Sequence, residues 1–503
     1  MKYLPSTCLA GIALVLLSGC FPERFEVAAP ENWDPAFGVP LINTSFSIND
    51  LLDDLDDGSL IQTDIANRLT VVYQDRLAVD PEFEIDPLPT IPIPIVEKEQ
   101  TVTYQAPGDY RYELIRLKSG LFQYTVLNPF AESVAFTLNF SNLRLNGSSL
   151  AITATLPPAG MDGASETTGT VDLAAYDLVL DEDIETVYTA NLVSDNSPVD
   201  LPSFLVTIEQ MDYTYIQGYF GKFEVNLSGD SLMFAFLDNW EAGELEFLEP
   251  VINLTFYNTM GVPLELNSDT FNLHTYRNGI VPLNNPLLSS GLLFAFPSID
   301  EVGQAKPTLL SLNQDNSNIV TAISGIPFQL DYAFSAVANP NQNNLITNHL
   351  TDSVKVDIDI EVEIPLYARA KGFQIVDTFE VDLTDLEDLD RLGFKMVAEN
   401  GFPLEVGMQL QFMDDSGMVF DSLFQEGPQL VASGNLRTDG SVESIRATTL
   451  ESELNGDQLQ QVLNRTINAR VIATLESPNS GTTAARMLDT YTLGVRLGIL
   501  AGF

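Results

Sequence analysis

The chain has 503 residues, 70 acidic against 23 basic side chains, and a formal net charge of −47 at pH 7. That balance excludes nucleic acid and anionic lipid surfaces as partners, because both are met by Lys/Arg patches. A hydrophobic content of 45% excludes disorder over most of the chain, and the length suits about three or four domains.

At the N-terminus, Met1-Lys2 is a short positive start and residues 9–17 are almost wholly apolar. The run is too short to span a bilayer, which takes about 20 residues, and it has the length of a secretory h-region. Leu17-Ser18-Gly19-Cys20 follows. This tetrapeptide resembles the lipobox of bacterial lipoprotein precursors at every position. The resemblance implies cleavage before Cys20, a diacylglycerol on its thiol and usually an acylated new amine. The other cysteine, Cys8, falls in the expected leader, 1–19, so the mature chain keeps one thiol and no internal disulfide. Two or three acyl chains give stable anchoring where one alone binds marginally. Phe21, not Asp, follows Cys20. An Asp there marks inner-membrane retention in one lipoprotein sorting system, so outer-membrane placement is expected.

Residues 20–105 read as a tether and a small α+β region. "SINDLLDDLDDG", 47–58, sets Ile48, Leu51, Leu52 and Leu55 at helical spacing, with Ser47 or Asn49 to cap the start and Gly58 to stop it. A calcium loop beginning at Asp53 fails, because Leu55 stands at its third position and Asp64 at its twelfth. "PLPTIPIPI", 87–95, has too many prolines for a central strand and reads as an edge or an extended linker.

Beyond it, alternating apolar and polar residues predict strand after strand, with Asn, Gly, Pro and Asp marking turns. The clearest strand is "VKVDIDIEVEI", 354–364. Its odd-face residues Asp357, Asp359, Glu361 and Glu363 repel one another, so cations on neighbouring strands, water, salt or bound calcium must compensate. A solvated face is expected, since carboxylates stacked along a strand do not by themselves wrap an ion that wants about six to eight oxygens. "LTDLEDLDRLGF", 383–394, spaces Leu383, Leu386, Leu389 and Leu392 three apart before Gly393 and predicts one or two helical turns. "ELNGDQLQQVLNRTINARV", 453–471, predicts a further helix. The terminal "YTLGVRLGILAGF" resembles the last strand of an outer-membrane barrel. A barrel needs about eight or more such strands with an apolar belt, so a strand closing a sandwich is expected.

Three longer stretches share one pattern: "FQYTVLNPFAESVAFTLNFSNLRLNG" (122–147), "INLTFYNTMGVPLELNSDTFNLHTYRNG" (252–279) and "FKMVAENGFPLEVGMQLQFMDDSG" (394–417). Each is an alternating strand ending in Asn (Asn128, Asn258, Asn400), a turn with Gly or Pro, a second strand and a closing Gly. Their spacing matches domain size, not solenoid repeats. Asn caps its own turn and tolerates left-handed backbone. The unit resembles the opening of Ig-like sandwiches of the late-embryogenesis-abundant type-2 class. Asn128-Pro129 keeps that class's dipeptide; Asn258-Thr259 and Asn400-Gly401 depart from it. The likeness implies a two-sheet sandwich and says nothing of a ligand.

Residues for catalysis are not singled out. His274 and His349 stand outside any His-Glu-x-x-His, no Gly-x-Ser-x-Gly elbow is present, and "GYFGK", 218–222, lacks phosphate-loop spacing. Trp33 and Trp240 are expected in core or interface packing. The expected fold is mainly β: several antiparallel Ig-like β-sandwich modules in tandem with a few short helices, at 106–205, 206–345 and 346–503. The expected role is non-enzymatic binding, adhesion or scaffolding at the cell envelope. Its membrane contact is the lipid on Cys20, its partners are envelope proteins or glycans, and no catalytic, metal or cofactor-binding residue is assigned. The first alternative resembles the modular glycan-binding lipoproteins that assist polysaccharide uptake. The second is an envelope hydrolase with paired carboxylates.

Overall fold

The computed structural model describes residues 36–47, 59–83, 88–106, 108–181, 183–234, 237, 240–381, 383 and 389–502. The leader, Cys20, Trp33 and the helix expected after Ser47 lie outside the described residues. The molecule is mainly β, built from antiparallel sheets with a few short helices. The sheets form three two-leaf sandwiches: one ten-stranded sheet supplies both leaves of the first, and two pairs of sheets make the second and third.

In the first sandwich, one leaf holds Ile91–Ile95, Phe204–Tyr219, Arg111–Asn128 and Ser165–Asp172. The facing leaf holds Ser148–Leu156, Val134–Leu145, Ile184–Leu192 and Glu99–Val102. Asp177–Val179 pairs with a strand of each leaf and closes one corner. Phe136 meets Phe204 across the sandwich with ring centroids 5.7 Å apart. The proline-rich strand is an edge, as expected: Ile91, Ile93 and Ile95 are buried while Pro92 and Pro94 face water.

The second sandwich sets Ser59–Thr63, Leu69–Val79, Val356–Pro365, Val251–Asn258 and Lys306–Leu312 against a leaf that includes Leu264–Thr275, Pro327–Ala338 and Phe223–Met233. Phe256 and Phe334 make its cross-leaf contact at 5.7 Å. The third sets Ala36–Ser47, Thr492–Gly502, Arg391–Asn400 and Arg446–Asn455 against Trp240–Phe247, Tyr367–Glu380, Asn468–Glu476 and Glu405–Met413. Leu392, Leu454 and Ile499 from one leaf and Phe412 and Ala469 from the other share its core. The helix Gly456–Arg465, expected from sequence, adds buried Leu459, Val462 and Leu463 to that core. Strand pairing runs across the expected limits between modules: Phe204–Tyr219 joins the first sandwich and Trp240–Phe247 the third.

One expectation is corrected. Leucines three apart predicted helical turns through 394, but Arg391–Asn400 is a strand hydrogen-bonded on both sides, to Arg446–Asn455 and Thr492–Gly502. Leu389 and Leu392 are buried as the spacing demanded, yet two waiting strand edges supply the backbone partners, and tertiary pairing overrides local propensity.

The repeated Asn unit carries the chain from one leaf to the other in each sandwich. Asn128, Asn258 and Asn400 are all fully buried. Each Oδ1 accepts from the backbone N–H two residues on: Phe130 at 2.9 Å, Met260 at 2.8 Å and Phe402 at 2.8 Å. Each Nδ2 donates to carbonyls of the neighbouring chain. Asn128 bonds Glu132 and Pro157, Asn400 bonds Leu404 and Ala432, and Asn258 bonds Ala295. A corner between leaves leaves backbone groups without ladder partners, and one amide supplies both a donor and an acceptor.

Candidate functional site

The first and second sandwiches meet through a short strand, Asn348–Thr351. It pairs with Phe204–Tyr219 of the first and bridges through His349 to Gly261, in the second sandwich's Asn corner. Beside this splice lies an open cleft of about 1170 Å³. Asp212 and Tyr213 line it from the first sandwich, Asp80, Glu224 and Asn226 from the second, and Thr351 to Lys355 from the segment that joins them.

Lys118 reaches Asp212 Oδ2 and Asp352 Oδ2, each at 3.6 Å, so those oxygens lie no farther apart than twice that distance. All three side chains are well exposed, where ion pairs contribute roughly 0–1 kcal/mol. Burial, helped by the charges of Asp212 and Asp352, holds the Tyr213 phenol above its usual range. The cleft therefore offers carboxylate acceptors around a neutral hydroxyl on a half-buried ring. Such a set can grip ammonium or guanidinium groups, or sugar hydroxyls.

The acidic strand Val356–Pro365 lies inside its sheet, between Leu69–Val79 and Val251–Asn258. Its carboxylates are half-buried and partnered, which departs from a simply solvated face. Arg76 serves Asp357 at 3.0 Å and Asp359 at 3.6 Å. Glu361 accepts from Gln74 Nε2 at 2.6 Å and Glu363 from Asn253 Nδ2 at 2.9 Å. One cation and two amides on flanking strands thus absorb four acids. Among the described residues, no group of three or more His, Cys, Asp or Glu is placed to hold a metal ion.

Burial and the adjoining Glu361 carboxyl raise the Glu363 pKa above the usual glutamate value. A raised folded-state pKa means the folded chain keeps a proton that the unfolded chain has lost. Stability then falls as pH rises from about 4.5 through the raised value. Glu363→Gln, which cannot ionise, is expected to match the parent below pH 4 and to gain stability over it as pH rises. Urea midpoints measured from pH 4 to 8 check this; a constant difference between the two proteins would contradict it.

The two histidines serve different elements. His274 Nε2 lies 2.6 Å from Asp331 Oδ2 on the outer face of the second sandwich. His349 is buried in the splice, with no hydrogen-bond partner on either ring nitrogen, and its ring stacks on Tyr215 at 6.2 Å.

Rings from two sandwiches form a band at their joint. His274 and Phe328 are 6.0 Å apart, Phe328 and Tyr276 4.9 Å, and Tyr276 and Trp240 6.1 Å with planes 26° apart. Trp240 packs at the edge of the core, as expected of it, while Tyr276 is 48% exposed. Arg277 and Glu244 pair at 3.1 Å beside the band. Sequence reading assigned neither the cleft nor the band, since each gathers residues far apart in the chain. The alternation in "DYTY", 212–215, and the turn "HTYRNG", 274–279, were the local signals available.

No helix among the described residues is long and apolar enough to cross a membrane. No family model matches the chain, and no curated protein matches it. Among solved structures, the chain is similar to a protein of Parabacteroides distasonis classed as secreted. The identity is 9%, covering 93% of this chain and 99% of that one, with a TM-score of 0.28. It is also similar to the VP2 subviral particle of infectious bursal disease virus at 8% identity, covering 89% of this chain and 82% of that one, with a TM-score of 0.16. Superpositions this loose carry no argument about fold or role.

Proposed function

We propose that this chain is a lipid-anchored protein of the bacterial outer membrane with a non-enzymatic binding role. Cys20 carries the lipid, and the cleft between the first and second sandwiches receives a cationic segment of an envelope partner. The observation that carries the reading is the cleft's lining. Asp80, Asp212, Glu224 and Asp352 outnumber Lys355 in the lining and Lys118, which pairs with two of them, on a chain whose net charge is −47. A field of that sign draws basic partners and repels anionic ones. Asp212 and Glu224 stand on strands of the two sandwiches, and Asp80 and Asp352 directly follow strand ends, which suits presentation of a fixed surface.

Cys20→Ala separates the anchor from the body. The expected outcome is release of the variant into the medium or periplasm, while the parent sediments with outer membranes and is shaved by protease on intact cells or after permeabilisation. A variant that still sediments with the membrane would refute the anchor. For the cleft, crosslinking in cells should recover partner proteins with the parent and lose them with Asp212→Asn/Asp352→Asn. A clean monomer from the parent would refute the partner.

The band of rings at Tyr276 favours a second reading, a glycan-binding accessory lipoprotein, because sugar recognition uses exposed aromatic faces.

A further inference from the structure

We infer that the ring band joining the second and third sandwiches is a carbohydrate platform on which the exposed ring of Tyr276, packed beside Trp240, takes the apolar face of a pyranose ring. The inference rests on the glycan-binding reading and gives it a place and a mode of contact.

A sugar ring presents C–H groups on one face and hydroxyls around its rim. An aromatic ring carries negative charge on its faces, so C–H groups of slight positive character settle there, as cations do more strongly. The band supplies such a face at Tyr276, which is 48% exposed. Tyr276 and Trp240 are near parallel, and Phe328 backs Tyr276. Hydroxyls at the rim would meet Glu244 and Arg277 at one end and Gln329, Asp331 and His274 at the other. These are acceptors and donors of the kind a polyol needs.

The platform is also held in place before any ligand arrives. Tyr276 N–H donates to Ile326 O and Arg277 N–H to Gly325 O, both at 3.0 Å. Thr275 is buried, and its Oγ1 donates to Gly279 O at 2.8 Å, which ties off the turn. Gly279 takes φ +65° there, a backbone that glycine adopts without penalty. Rings fixed this way lose little freedom on binding. The chain's net charge of −47 repels uronic acids and other anionic polymers, which leaves neutral polysaccharides as the class.

Affinity electrophoresis in native gels containing xylan, galactomannan or mixed-linkage β-glucan tests the assignment. The parent should be retarded in at least one gel. Tyr276→Ala should bind about tenfold more weakly, Tyr276→Phe should keep most of the retardation, and both should stay folded at the gel temperature. Equal retardation of the parent and Tyr276→Ala would overturn the platform while leaving glycan binding at another site. A parent that runs unretarded in all three gels would overturn the glycan reading, and the platform with it.

Discussion

Asn400→Ala is expected to destabilise the third sandwich by about 3 kcal/mol, with Asn128→Ala close behind in the first and Asn258→Ala somewhat milder in the second. Each truncation strips a backbone N–H of its acceptor and part-buried carbonyls of their donor. A buried polar group left unsatisfied costs about 1–3 kcal/mol. Asn400 and Asn128 each make three such bonds, Asn258 two, and that sets the order. The aspartate variants should be worse than the alanines. Asp keeps the acceptor but turns a carboxylate toward carbonyl oxygens in a buried site, where an unpaired charge is strongly disfavoured. Calorimetry of the parent and the six variants, supported by urea midpoints, reads both predictions. Losses under about 0.5 kcal/mol for the alanines would show that the corners stand without their amides.

Gly261→Ala should loosen the joint between the first two sandwiches. A Cβ at 261 would lie 2.0 Å from His349 Nδ1 and 2.1 Å from its Cε1, far inside contact distance. The imidazole cannot step aside easily, because it is buried and stacked on Tyr215. Overpacking of this kind costs typically about 1–3 kcal/mol. Faster limited proteolysis between the sandwiches and a lowered melting temperature would report it. His349 makes the same joint sensitive to acid. Burial depresses its pKa below the usual histidine value. Below about pH 6.5 the unfolded chain takes up a proton that the folded chain refuses, so stability falls as pH drops through that window. His349→Phe keeps a flat ring without orphaned nitrogens. It should flatten the stability profile between pH 6.5 and 5, where the parent declines; parallel profiles would exclude His349 as the cause.

Legibility in the sequence followed the range of the interactions. Val356–Pro365 alternates strictly, so its buried face could be named residue by residue, and the proline strand at Ile91–Ile95 announced an edge. The Asn motif was visible as a repeat because its acceptor bond spans two residues. That it turns the chain between leaves was not visible, since the carbonyls completing each corner include ones about 30 or more residues away. Helical spacing carried on into Arg391–Phe394 misled for the same reason: the strands flanking that segment arrive from 446–455 and 492–502.

Composition and alternation by themselves determined a mainly β, strongly acidic chain; the resemblance carried by the Asn units implied sandwich modules, and the lipobox-like tetrapeptide pointed to an anchor at Cys20. Those signals are local, set by side chains acting on their near neighbours. Which strands share a leaf, how one arginine and two amides quiet four carboxylates, and which residues gather at the cleft and the ring band were decided only by tertiary pairing. Antiparallel partners are chosen across the whole chain by burial and register, and neither quantity is written in any one segment.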